Sequence, residues 1–288
     1  MNFKKVISIL SAFLFFGTST LQASENVCYN DYDSIAPYYD KMFGDRKHDI
    51  EFISEFLKTN NTDINSILEL ACGTGRVLKF FEDKIEIIYG LDISDSMLNI
   101  AKEKIKKGTF IHQTMENFSL QRKFDCILGT FGAINHLLEF KSWINVFESV
   151  AKSLENDGIF IFDMLSVTKL KELQSYSFRE LECGDFKATI SPNEIKEDEQ
   201  CIYSDILKII DKQGKLESEC LRCKEMSFDI KVVADELKKY FQEIIIYEDV
   251  APNEKTKKEI KVIEPSDDYT SLNCRVYFVC KKPKISNK

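Results

Sequence analysis

Residues 67–81, ILELACGTGRVLKFF, constrain this chain more than any other stretch. An apolar run reads as a strand, and Glu69 stands near its end. Gly73 and Gly75 then make a turn, and a helical pattern follows. Glycines at the carboxyl end of a first strand let a ligand approach the backbone, and the helix N-terminus beyond them offers free N–H groups. The turn is not a dinucleotide fingerprint: counted from Gly73 the third glycine position is Leu78, and counted from Ala71 it is Arg76. A pyrophosphate loop is therefore disfavoured. Glu69 would oppose a pyrophosphate but suits a cationic ligand. Asp92 closes the next strand, 17 residues after Gly75, where a carboxylate can accept both hydroxyls of a ribose. Its alternative role is to cap the helix starting near Ser94, although Ser94 or Asp95 could do that instead.

Strand and helix patterns alternate beyond this point, as in a mostly parallel sheet covered by helices. The pattern predicts strands at 66–70, 85–91, 110–112, 124–129 and 158–163, with helices at 75–81, 96–106 and 141–154. Residues 30–165 thus read as one α/β core. From 166 to 228 the pattern changes to β-branched and aromatic runs at 186–190, 200–210 and 215–228, which predicts an antiparallel β insertion. Residues 229–282 return to the core with a helix at 231–240 and strands at 243–247 and 274–280.

With 44% hydrophobic and 30% charged residues in 288, the chain can bury a large core. Its net charge of -8 and the mixing of lysines with acids leave no basic face for a phosphate backbone, so nucleic acid is not expected as a partner. Residues 1–23 place Lys4 and Lys5 before an apolar run that ends in small residues at Ala23. That is the layout of a secretory signal peptide, with an uncleaved membrane anchor or an early start as alternatives. A membrane is expected to matter only through this leader. Among the nine cysteines, Cys72 lies in the glycine turn and Cys126 in a strand, where a thiol behaves as a small apolar group. Cys220 and Cys223 have CxxC spacing, but on a strand a separation of three sends the side chains to opposite faces, so no metal is expected.

The motifs E-x-A-C-G-T-G and LDIS resemble those of class I S-adenosylmethionine (SAM) dependent methyltransferases. The opening YDSIAPYYDKMF, residues 32–43, and the inserted sheet resemble small-molecule members, in particular N,N-dimethyltransferases of nucleotide-linked amino sugars and glycine-type N-methyltransferases. The resemblance implies a Rossmann-like, seven-stranded, mostly parallel sheet with the insertion after the fifth strand, and SAM as cofactor. It implies that Ala71, Cys72, Gly73 and Gly75 approach the methionine part, that Asp92 holds the ribose and that Ile93 flanks the adenine. Such enzymes usually carry an acid after the third strand for the adenine amino group. Here Thr114 stands there, with Met115 next, so a hydroxyl and a backbone N–H would serve.

Gly129 opens the loop after the fourth strand, where the resemblance places the transferred methyl group. His136 in that loop reads as a general base or a group orienting the acceptor, or else as a packing histidine. Tyr39 reads as a lid over the sulfonium, or as core at helical spacing with Tyr38 and Phe43. The expected reaction is methyl transfer to a small-molecule acceptor, an amine before a hydroxyl. The rivals are a catalytically silent SAM-binding module and a nicotinamide-dependent oxidoreductase, the latter disfavoured by the incomplete glycine fingerprint. SAM dependence implies cytoplasm, whereas the leader implies export, and the sequence leaves the two opposed.

Overall fold

The computed structural model describes residues 32–44, 47–60, 63–175, 179–192, 202–250, 259–263 and 275–284. The leader at 1–23 lies outside them. No helix among the described residues is long and apolar enough to cross a membrane.

The core elements follow in the order α1 (Ala36–Phe43), α2 (Lys47–Thr59), β1 (Ser66–Leu70), α3 (Arg76–Phe81), β2 (Ile87–Asp92), α4 (Asp95–Lys104), β3 (Thr109–His112), β4 (Phe124–Gly129), a short 3-10 helix (Ala133–His136), α5 (Phe140–Ser153) and β5 (Leu154–Leu165). The chain then leaves the core for α6 (Val167–Gln174), β6 (Arg179–Glu182), β7 (Phe186–Pro192), β8 (Ile202–Asp211) and β9 (Leu216–Met226). It returns through α7 (Ile230–Leu237), β10 (Phe241–Val250), β11 (Glu259–Ile263) and β12 (Arg275–Pro283).

The main sheet runs β11-β10-β12-β5-β4-β1-β2-β3. β5, β4, β1, β2 and β3 are mutually parallel, whereas β12 is antiparallel to both β5 and β10. The Rossmann-like mixed sheet has its seven expected strands plus β11, an edge strand that the sequence pattern did not announce. Apolar residues fill both faces of the central strands because helices cover both sides. Along β5, Phe160, Phe162 and Met164 enter the core under α5 and α7, while Ile159 and Ile161 enter the core under α2 and α3. β12 alternates in the same way, and its Phe278 stacks on Phe162 at 4.8 Å between centroids, directly across the pairing. β5 also starts earlier than its hydrophobic run. Leu154 pairs with Phe124, and the Asn156-Asp157-Gly158 segment is taken up by an irregularity before Ile159 resumes the ladder.

Strand order reverses at β1, since β2 and β3 extend to one side and β4 and β5 to the other. Open α/β sheets bind ligands at such a reversal, beyond the carboxyl ends of the strands. The second sheet, β6-β7-β8-β9, is wholly antiparallel. One of its faces carries Phe186, Ala188, Ile190, Leu207 and Ile209, which pack on Ile35, Ala36 and Met42 and on Met97 of α4. The insertion and the amino-terminal segment therefore roof the reversal point together.

Candidate active site

A cavity of about 330 Å³ lies at the strand reversal. Its floor is the end of β1, where Glu69 sits between β2 and β4, in register with Gly90 and Leu128. Its carboxylate is almost wholly buried and accepts the Thr130 hydroxyl at 3.2 Å. The turn that follows bends through left-handed backbone at Ala71, Gly73 and Gly75. The Cys72 N–H donates to Leu91 O at 3.0 Å, which ties the turn to β2. Burial, and then the neighbouring Asp92 and Glu69, push the Cys72 thiol well up, so it stays protonated and behaves as a small apolar wall.

Gly73 and Gly75 do different work. A Cβ on Gly73 would project into the cavity and come within 4.0 Å of the Tyr39 ring, whereas one on Gly75 would lie 2.9 Å from Ile105 Cδ1 and 3.1 Å from Ala101 Cβ. Gly73 faces the cavity, while Gly75 closes the packing of the turn on α4 and is absent from the lining.

Asp92 Oδ2 accepts the Gly73 N–H at 2.7 Å and Oδ1 accepts the Ser94 N–H at 2.9 Å. Helix α4 is capped by Ser94, whose Oγ accepts the Met97 N–H, so the helix does not occupy the carboxylate of Asp92. Burial raises the pKa of Asp92, against the lowering effect of the Ser94, Gly73 and Ile93 N–H groups. Ile93, 57% exposed, follows it on the cavity wall beside Gln113, Thr114 and Met115. Gln113 escaped the sequence reading; its N–H donates to Asp92 O at 3.0 Å, which seats the chain after β3 against β2.

The loop after β4 is held from below. Asp163, fully buried on β5, accepts the Phe131 and Gly132 N–H groups, the latter at 2.8 Å. Its carboxylate also pairs with Arg275 Nε at 3.3 Å, and Arg275 reaches Asp49 at 3.1 Å. Between two carboxylates the guanidinium stays charged despite its burial. Gly129, at the end of β4, lies against Phe162 and does not line the cavity. Asn135 accepts the Leu165 N–H at 2.9 Å and donates to Met226 O at 2.8 Å, so one buried amide ties both ends of the insertion to this loop.

His136 ends the 3-10 helix. The Tyr32 hydroxyl lies 3.0 Å from its Nε2 and Cys223 Sγ lies 3.5 Å from its Nδ1. Burial pushes the pKa of His136 down to about 4, so the ring is neutral near pH 7. Tyr39 joins the same wall, edge-on to Tyr32, with the Arg76 guanidinium 4.8 Å from its ring centre. The residues brought together at one cavity are thus Tyr39, Glu69, Ala71, Cys72, Gly73, Asp92, Ile93, Thr114, Met115 and His136. Tyr32, which opens the amino-terminal motif, Cys223 of the CxxC pair and Glu225 join them, none of them expected at this site from the sequence. Only their meeting with His136 marks them, and that is a tertiary fact.

This lining suits SAM. Two buried carboxylates face the cavity, and a side chain at Gly73 would fill it. The cations Arg76 and Arg275 are drawn to Asp40, Asp49 and Asp163 rather than arrayed for a pyrophosphate.

Residues 67–158 match the methyltransferase domain family. The uncharacterized protein MJ1252 of Methanocaldococcus jannaschii is 29% identical over 74% of this chain and 75% of its own length. The dTDP-3-amino-3,4,6-trideoxy-alpha-D-glucopyranose N,N-dimethyltransferase of Streptomyces venezuelae is 27% identical over 38% of this chain, and the match spans 47% of that enzyme. The crystal structure of a SAM-dependent methyltransferase from Clostridium acetobutylicum superposes with a TM-score of 0.69 at 22% identity, over 88% of this chain and 99% of that one. The domain match lies on the strand ends that build the cavity, so residues 67–158 carry a methyltransferase domain, and the chain shares the fold of a SAM-dependent methyltransferase along nearly its whole length.

Proposed function

We propose that this enzyme methylates an amine on a small molecule held between the Tyr32–His136 pair and the inserted sheet. The observation that carries the reading is that one cavity is lined both by the β1 and β2 ends and by Ile190, Leu207, Cys223 and Glu225 of the insertion. A site for cofactor alone would need no roof of this kind.

Glu69 would take the ammonium of SAM and Asp92 the ribose hydroxyls, with Ala71 and Gly73 allowing close approach. Ile93, Thr114 and Met115 would line the adenine. When bound, SAM supplies a methyl group on a positively charged sulfur, open to direct displacement. The chain has then to orient the acceptor, exclude water and remove a proton from an ammonium. A neutral His136 can accept that proton, directly or through the Tyr32 hydroxyl, and Tyr39 presents an aromatic wall to positive charge. The insertion would act as the acceptor lid over the core.

Amino-sugar dimethyltransferases among the relatives support an amine over a hydroxyl. The test is to incubate the purified chain with SAM and matched panels of small amines and alcohols, and to follow methylated product by mass spectrometry. Methylated amines are expected. Transfer only to the alcohols would overturn the choice of acceptor, and no transfer with SAM bound would favour a silent SAM-binding module.

A further inference from the structure

The roof of the cavity sets two side chains that methyl transfer does not require, Cys223 and Glu225, beside His136. Cys223 and Glu225 lie two residues apart on β9, within the regular stretch where Arg222 to Met226 pair in order with Ile206 to Ile202, so both project from the same face. His136 comes to meet them from the loop after β4. One ligand atom from each, an imidazole nitrogen, Sγ and a carboxylate oxygen, lies within 4.8 Å of the other two. Among the described residues this is the group able to hold a metal ion.

We propose that His136 Nδ1, Cys223 Sγ and Glu225 form a three-ligand site for a divalent ion of the zinc class, with its open position turned into the cavity. Zinc bonds of about 2.0–2.3 Å in a tetrahedron set neighbouring ligand atoms roughly 3.5 Å apart. The Nδ1 to Sγ separation is 3.5 Å, so two ligands already stand at that spacing. The Glu225 carboxylate, within 4.8 Å of both, lines the open cavity on the same side. A set of one thiolate, one imidazole and one carboxylate favours zinc over magnesium or calcium, which take oxygen-only shells.

The frame is rigid where the site needs it. Asn135, adjacent to His136, donates to the carbonyl of Met226, adjacent to Glu225, so the loop and the strand are pinned one residue from the ligands on each side. The Tyr32 hydroxyl, 3.0 Å from Nε2 and 3.7 Å from Sγ, stands beside the ion and fixes the ring from its other nitrogen. Ion binding at this place is independent of which acceptor the enzyme uses, but with Nδ1 on the ion His136 holds its proton on Nε2 towards Tyr32, so the loaded site orients the acceptor and leaves its deprotonation to solvent.

The experiment is to strip the full chain with a chelator and titrate it with Co²⁺ as an optical stand-in. One equivalent should bring up a near-ultraviolet thiolate-to-cobalt band, which Zn²⁺ then bleaches. Cys223→Ser should abolish the band and Glu225→Gln should weaken cobalt binding at least about tenfold, with SAM affinity within threefold of the parent in both. X-ray absorption of the zinc-loaded parent provides a check free of mutation, with one sulfur neighbour among nitrogen and oxygen expected. No thiolate band in the parent, a band that survives Cys223→Ser, or a zinc shell with no sulfur or several would each overturn the site.

Discussion

Asp92 Oδ2 accepts the Gly73 N–H at 2.7 Å, so the carboxylate that ends β2 also clamps the turn that ends β1. The two strand ends expected to hold the cofactor are one hydrogen-bonded unit.

Asp92→Ala removes that clamp along with the acceptor proposed for the ribose. SAM binding should weaken by roughly 1–3 kcal/mol, about five- to 150-fold in Kd by calorimetry. The raised pKa adds a pH signature. As pH falls, Asp92 takes up its proton at a higher pH than an ordinary aspartate, so SAM affinity should decline from that point downward, and Asp92→Asn should lack the decline. For the apoprotein the sign reverses. The protonated carboxyl is the better buried form, so its contribution to stability is present below 3.8 and is lost as pH rises from there through the raised value. An unchanged Kd in Asp92→Ala would remove this residue from the cofactor site.

His136→Ala should lower turnover by about 10²-fold or more while SAM affinity stays within about threefold. Tyr32→Phe keeps the ring and deletes only the hydroxyl 3.0 Å from Nε2, and should cost roughly tenfold. Single-turnover kinetics with the amine identified above would check both. Full activity in His136→Ala would make the histidine a packing residue and leave catalysis to alignment alone.

Gly75 and Gly184 both have left-handed backbone, with φ of 74° and 80°, but a Cβ meets Ile105 and Ala101 at the first and nothing within 4 Å at the second. Gly184→Ala should therefore cost only the backbone strain, about 1 kcal/mol. Gly75→Ala should cost roughly 2–4 kcal/mol, because overpacking adds to the strain. Urea unfolding of the two variants measures the difference, and equal losses would show that α4 yields.

Asp163→Ala should destabilise the fold by about 3–5 kcal/mol, since it strips a buried guanidinium of one partner and leaves the Phe131 and Gly132 N–H groups without their acceptor. Asp163→Asn should recover part of the loss by keeping one acceptor oxygen. Chemical denaturation gives both values. A loss below 1 kcal/mol in Asp163→Ala would mean that water replaces the carboxylate.

The parts of this protein legible in the sequence are those written within one element or one turn. The strand from 66 to 70, its glycines, the strand ending at Asp92 and the Ser94 cap depend on periodicity of 2 or 3.6 and on residues with special backbone freedom, all local terms. The apolar runs at 159–162 in β5 and 276–280 in β12 likewise reveal that both faces of the sheet are covered. What the sequence left open follows from chain segments meeting across long separations. β11 is short and finds its place only against β10. Helix α6 and strand β6 are too brief for a pattern to stand out. Gly75 and Gly129 look like their neighbours in sequence, and only packing shows that they point away from the cavity. Tyr32 and His136 are 104 residues apart, and His136 and Cys223 are 87 apart. No local preference encodes such a meeting. It follows from the strand order that sets the β4 loop beside β1, and from an inserted sheet whose apolar face must be buried on α1, which carries β9 over the cavity.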